Sequence, residues 1–166
     1  MTGLPDICTV TGNDVDAKYS HNLNFSMMSV KQAWLNLPVK DLEVSRRFFS
    51  DIGFRSNPMH DNNPHAASFF IGEQNFVLML FPAKAFEGMV HTKVADTSQG
   101  HQVLINIDAE SPEEVDAMAE TVRKAGGKIF AEPSQAEGWM YVFGFEDPDG
   151  HRWAVLHMDM SKMPGQ

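Results

Sequence analysis

The pattern of apolar and polar positions changes period along the chain, and each change marks an element. In AWLNLPV every second position is apolar, with Leu35, Leu37 and Val39 on one side and Trp34 and Asn36 on the other, the alternation of a strand. Asp41 then caps a helix through LEVSRRFFSDI, which Gly53 ends. FRSNP, an Asn/Pro-rich turn around DNNPH, the strand AASFFIG, the tight connection EQ and the strand NFVLMLF follow. PAKAFEGMVHTKVADTSQG reads as a linker. Beyond it VLINIDA is a strand, and Ser111-Pro112-Glu113-Glu114 is a capping box with Pro at the first helical position of VDAMAETVRKA. Gly126-Gly127 stops that helix, and KIFAEP, WMYVFGF and HRWAVLHM are three more strands. The last two are joined by Asp147-Pro148-Asp149-Gly150, which has turn chemistry at every position. Strand, helix and three strands therefore occur twice, which predicts a duplicated module.

Residues 1–30 show no sustained period and are rich in Asn, Asp and Ser, so they read as a loose arm ahead of a compact domain at 31–160, with a short tail at 161–166. Module one spans about 31–85 and module two about 101–160. The 166 residues suffice for one domain with its own core, and 43% hydrophobic against 21% charged residues is a globular balance. The net charge of −9 disfavours nucleic acid and anionic membrane as partners, since no basic stripe exists to displace counterions. Cys8 is the only cysteine, which excludes an intrachain disulfide and a thiolate zinc cluster. With no signal-like start and no membrane-length apolar run, the expected location is cytoplasmic.

The order of VKDLEVSRRFF, the Gly53-Phe54 pair, SPEEVDA and FEDPDGHRW resembles the vicinal oxygen chelate superfamily, which holds glyoxalase I, bleomycin-resistance proteins and extradiol dioxygenases. The resemblance covers residues 31 to about 160. It implies an α+β fold in which tandem βαβββ modules form a curved eight-stranded mixed sheet around a cavity, with helices on the convex face. It also implies a homodimer. Strand alternation adds faces to that outline: Leu35, Leu37, Val39, Val103, Ile105, Ile107, Trp153 and Val155 are expected to meet the helices. The opposite parity, Trp34, Asn36, Gln102, Leu104, Asn106, Arg152, Ala154 and Leu156, is expected to line the cavity together with Met79, Phe81 and Met140.

Metal-dependent members of that superfamily place four His, Glu or Gln ligands on the first and fourth strands of each module. Carried onto this chain, those places fall on Trp34, on Met79, on Leu104 or its same-face neighbour Gln102, and on Ala154. One neutral amide among four positions leaves a divalent charge uncompensated, so no cofactor is expected. A metal would need an atypical site, for which His101 is the nearest candidate; His60 and His65 read as surface residues, and His151 and His157 as packing residues. Tyr141 and Asp108 are the remaining acid–base candidates, with Tyr141 expected in the core. The expected function is binding of a small, partly apolar or aromatic molecule in a metal-free cavity. The alternative is a lyase, isomerase or dioxygenase with an atypical metal site. Deleting residues 1–27 should leave the thermal unfolding midpoint nearly unchanged in a calorimetric scan; a large fall would show that the leading segment is part of the folded domain.

Overall fold

The computed structural model describes residues 31–165. The expected leading arm lies outside the described residues. Among the described residues the element order is β1 (Trp34–Val39), α1 (Leu42–Asp51), β2 (Arg55–Ser56), β3 (Ala67–Ile71), β4 (Phe76–Pro82), α2 (Ala83–Val90), β5 (Leu104–Asp108), α3 (Pro112–Ala125), β6 (Lys128–Ala136), β7 (Met140–Glu146) and β8 (Arg152–Met158). The α+β class and the eight strands are those the sequence predicts. They form two four-stranded mixed sheets, ordered β1-β4-β3-β2 and β5-β8-β7-β6. In each sheet the first strand runs parallel to the last strand of its own module, β1 beside β4 and β5 beside β8. The repeat is thus one topology built twice.

The helix ends follow their local chemistry. Asp41 accepts from the backbone N–H groups of Glu43 and Val44, which satisfies two of the orphan donors of α1. Ser111 accepts from Glu114 N at 3.2 Å, while the Glu114 carboxylate reaches back to Glu110 N, one residue before the cap. The capping box therefore closes with a one-residue offset. Gly126, at φ 91°, turns the chain out of α3 in a left-handed conformation that a side chain would strain.

Three expectations change. The linker contains α2, seated against β1 and β4 without any side-chain cap; tertiary packing supplies what capping chemistry does not. FRSNP contributes only Arg55 and Ser56 to a strand, and Pro58–His60 form a short 3-10 turn capped by Asn57. Val103, expected to meet the helices, lies just before β5 and is 62% exposed.

The helix-facing sides of both sheets share one core. Phe48 and Phe49 from α1, Val115, Ala119 and Val122 from α3, Phe69, Leu78 and Leu80 from the first sheet, and Phe143, Phe145, Trp153 and Val155 from the second are all buried. Phe49 packs on Trp153 with ring centroids 5.5 Å apart, and Phe48 lies 6.2 Å from Phe145. A helix of module one thus touches the sheet of module two.

A second link between the modules is polar. In the turn between β7 and β8, Asp149 is buried, and its carboxylate accepts from Lys40 N at 2.7 Å and from the Ser45 hydroxyl at 2.8 Å. The turn of module two thereby serves the start of α1 in module one. Its neighbour Asp147, with 1% of its side chain exposed, accepts from Asp149 N, His151 N, His151 Nδ1 and the Trp153 indole N–H. Gly150, at φ 87°, completes the reversal by donating to Asp147 O at 2.9 Å. Asp149→Ala should cost about 1–3 kcal/mol in urea unfolding, because it removes the acceptor of the partly buried Lys40 amide and leaves the buried Ser45 hydroxyl only the Asp41 carbonyl at 3.0 Å, whereas Ser45→Ala should cost only about 1 kcal/mol. A loss under about 1 kcal/mol for Asp149→Ala would show that water replaces the carboxylate.

Candidate ligand-binding site

The faces turned away from the helices carry two matching rows. Register places Asn36 of β1 beside Met79 of β4 and Met79 beside Ser68 of β3. In the second sheet Asn106 of β5 lies beside Ala154 of β8, and Ala154 beside Gly144 of β7. Laterally paired residues share a face, so each module presents one amide at the same place in its topology. Trp34 and Leu104, two residues earlier on β1 and β5, are 57% and 51% exposed.

Of the positions that the resemblance supplied for a divalent ion, Trp34 and Leu104 have no ligating atom and Gln102 a neutral amide, while Met79 and Ala154 stand in these rows. The rows offer two carboxamides, a thioether, a methyl group, a hydroxyl and a bare glycine. None carries charge, and the Ser68 hydroxyl is already engaged 2.8 Å from His60 Nδ1. Among the described residues no three His, Cys, Asp or Glu side chains come together in a way that could hold a metal ion. A hard dication needs charged oxygen or imidazole ligands, so this donor set does not fit one.

Beside Ala154 the surface is filled by an aromatic ring. Phe130 of β6 lies over Gly144 so closely that a Cβ there would overlap its ring. The Arg152 guanidinium sits 4.4 Å from the Phe130 ring centroid and donates to Glu146, which also accepts from Lys128 at 3.1 Å. Burial pushes the Glu146 carboxyl up, but the hydrogen bonds from Lys128 and Arg152 outweigh that and hold it below its ordinary value. Its contribution to stability is therefore fully present above the ordinary carboxylate value and is lost as pH falls through the lower folded value.

A cleft of about 780 Å³ opens where β1 and β5 come near the segment that joins the modules. Leu35, Leu37, Phe86, Val90, Val94 and Ile105 make its walls apolar, and Asn36, Gln102, His101, His151 and Arg152 add polar groups. Its outer wall is pinned at two points. The Glu87 carboxylate of α2 accepts from Val94 N at 3.3 Å, and the Thr97 hydroxyl donates to Asp149 O at 2.9 Å.

Of the residues expected to line a cavity, the structure brings Asn36, Gln102 and Arg152 to this cleft. Asn106 borders a smaller hollow of about 420 Å³ with Ile71, Phe76, Leu156 and Met158. Trp34, Met79, Phe81, Leu104, Met140 and Ala154 line neither. Trp34 and Leu104 are exposed, Met79, Phe81 and Met140 are half-buried, and Ala154 is buried.

Several side chains differ from their expected settings. His60 is half-buried, tied to Ser68, because Arg46 gathers its loop by donating to the carbonyls of His60, Asn63 and Ala66. Tyr141 packs half-buried against the core as expected, but its hydroxyl reaches out to donate to Asp116 of α3 at 3.0 Å, and that hydrogen bond raises its pKa. The cleft's dependence on α2 was missed, since Phe86 and Val90 sit in a stretch without a capping signal. The spacing of Phe86 and Val90, four residues apart, was the available clue.

A family model described as Glyoxalase/Bleomycin resistance protein/Dioxygenase superfamily matches residues 31–155. No curated protein matches the sequence. Among solved structures, hypothetical protein SA1046 from S. aureus is 30% identical, with a TM-score of 0.68 over 77% of this chain and 94% of its own. A glyoxalase-related enzyme from Fulvimarina pelagi is 22% identical, with a TM-score of 0.66 over 77% of this chain and 88% of its own. Lactoylglutathione lyase from Agrobacterium tumefaciens is 16% identical, with a TM-score of 0.57 over 81% of this chain and 99% of its own. The last two speak for the fold alone.

Gly144→Ala should destabilise the protein by about 1–3 kcal/mol in chemical denaturation, by pushing the Phe130 ring off the sheet. In a Phe130→Ala background the same change should be nearly neutral, and a double-mutant cycle showing no coupling would refute the contact.

Proposed function

Because the chain belongs to the glyoxalase/bleomycin resistance protein/dioxygenase superfamily, we propose that it binds a small, partly apolar or aromatic molecule without the help of a divalent metal. The observation that carries this reading is the cleft of about 780 Å³ between β1, α2, the joining segment and β5. Its volume falls within the range of small-molecule sites, and its make-up, apolar walls with a few convergent polar groups, is typical of them. Asn36 and Gln102 suit the orienting of a guest by hydrogen bonds, and Arg152 suits a polar or anionic substituent. The uncharged donor set of the two sheet-face rows supports leaving metal out of the account.

A homodimer is part of the same proposal. Trp34, Phe76, Leu104 and Met158 expose large apolar side chains on strands of both sheets, and β1 and β5 are edge strands. Unpaired edges flanked by apolar groups call for cover, and a second copy would meet like with like around a twofold axis. Light scattering during size exclusion should return twice the chain mass, and Trp34→Glu should shift it toward one.

For the binding function, a panel of aromatic small molecules should yield guests that raise the unfolding midpoint of chelator-treated protein. At about a hundred times its dissociation constant such a guest adds about 2.7 kcal/mol of stability. Asn36→Ala or Gln102→Ala should weaken a guest by about three- to tenfold, the worth of one hydrogen bond. Affinity that appears only after a divalent ion is added would reverse this reading in favour of an atypical metal enzyme of the superfamily.

A further inference from the structure

We infer that His151 is the proton-accepting group of the cleft and that the guest presents an acidic hydroxyl, a phenol or an enol, to its Nε2 atom. This rests on the cleft being the binding site and adds the chemical class of what enters it.

The geometry begins with the buried carboxylate behind the imidazole. Asp147 has 1% of its side chain exposed and faces His151 Nδ1 at 2.9 Å through one oxygen and 3.2 Å through the other. It is held in place by the Trp153 indole N–H at 3.2 Å and by two backbone amides of its own turn. A carboxylate only accepts, so Nδ1 must donate, and the neutral ring then carries its lone pair on Nε2. The remaining 13% exposure of the His151 side chain lies on a residue that borders the cleft.

Other described histidines lack this arrangement. His60 Nδ1 meets the Ser68 hydroxyl, and His157 Nδ1 meets the Ala109 carbonyl, so neither is backed by a charge. His101 borders the cleft but is exposed. Among the described histidines only His151 combines a buried anionic partner with a place on the cleft wall.

The arrangement has a defined chemical use. A neutral imidazole oriented by a carboxylate accepts a hydrogen bond from an O–H group; if the proton crosses, it moves from the hydroxyl oxygen to Nε2, leaving an oxyanion beside an imidazolium that Asp147 stabilises. The apolar walls suit the body of an aromatic or enolic molecule, and a guest without an acidic proton forfeits the interaction.

Two probes of one shape test this on the full chain: 4-methylphenol and its methyl ether 4-methylanisole, at about pH 8, where a free phenol is un-ionised and an ordinary imidazole is neutral. The wild-type protein should bind the phenol about tenfold more tightly than the ether, the worth of a hydrogen bond to a polarised acceptor. His151→Asn keeps a donor for Asp147 but is too short to replace Nε2, so it should erase that preference, weakening the phenol about tenfold more than the ether. Nitrogen-15 NMR of the wild-type protein supplies a readout independent of any variant: His151 should show the Nδ1–H tautomer, and methylphenol but not methylanisole should shift its Nε2 resonance. Equal binding of the two probes, a preference that survives in His151→Asn, or an unmoved Nε2 resonance would overturn the role of His151 while leaving the cleft as a binding site. Binding of neither probe would remove the cleft reading and this inference with it.

Discussion

Two buried carboxylates in one tight turn hold this architecture together. A carboxylate out of water must be met by donors or it destabilises the fold, and the turn from Asp147 to Gly150 meets that demand in two directions. Asp147 draws on its own turn, His151 and Trp153, which locks the start of β8. Asp149 draws on Lys40 and Ser45, residues more than a hundred positions earlier, and so ties the second module to the N-terminal end of α1. The shared aromatic core of Phe48, Phe49, Phe145 and Trp153 forms beneath this link. Area burial supplies the bulk of the stability, while the polar link fixes the orientation in which it occurs.

The cleft follows from the same constraint. Both sheets turn their helix-facing sides into one core, so the edge strands β1 and β5 are left beside the segment that crosses between modules. That segment is anchored by Thr97 to the carbonyl of Asp149 and by Val94 to Glu87 of α2. The turn that joins the modules therefore also holds a wall of the cleft and presents His151 to it. A structural device and a site of proposed chemistry occupy adjacent residues, separated by one glycine.

Membership of the glyoxalase/bleomycin resistance protein/dioxygenase superfamily gives the fold a familiar outline, yet the side chains on the sheet faces set the terms of what can bind. Asn36 and Asn106 repeat at matching places, while Met79 and Ala154 stand beside them. Such rows orient neutral groups and do not neutralise a dication. The chemistry proposed for this chain accordingly moves from the sheet faces to the cleft at their edges.

Much of this was readable from short-range chemistry. Asp41, Ser111, Gly126 and, within the turn before β8, Asp147 and Gly150 act through partners within a few residues, and the alternation in AWLNLPV follows from backbone geometry alone, so most elements and their repeat could be read directly. The candidate site was legible only in part: parity marks Asn36, Gln102 and Arg152 as off the helix face, but not which of the marked residues share a cleft. Three features belong to tertiary structure. α2 forms without a cap because β1 and β4 receive it, Val103 is exposed because its strand begins one residue later, and His151 gains its setting because a buried carboxylate and a wall contributed by another segment meet at its ring. Local hydrogen bonds are written in neighbouring residues, whereas a cleft is the space left between distant ones, and only the packed chain decides where that space lies.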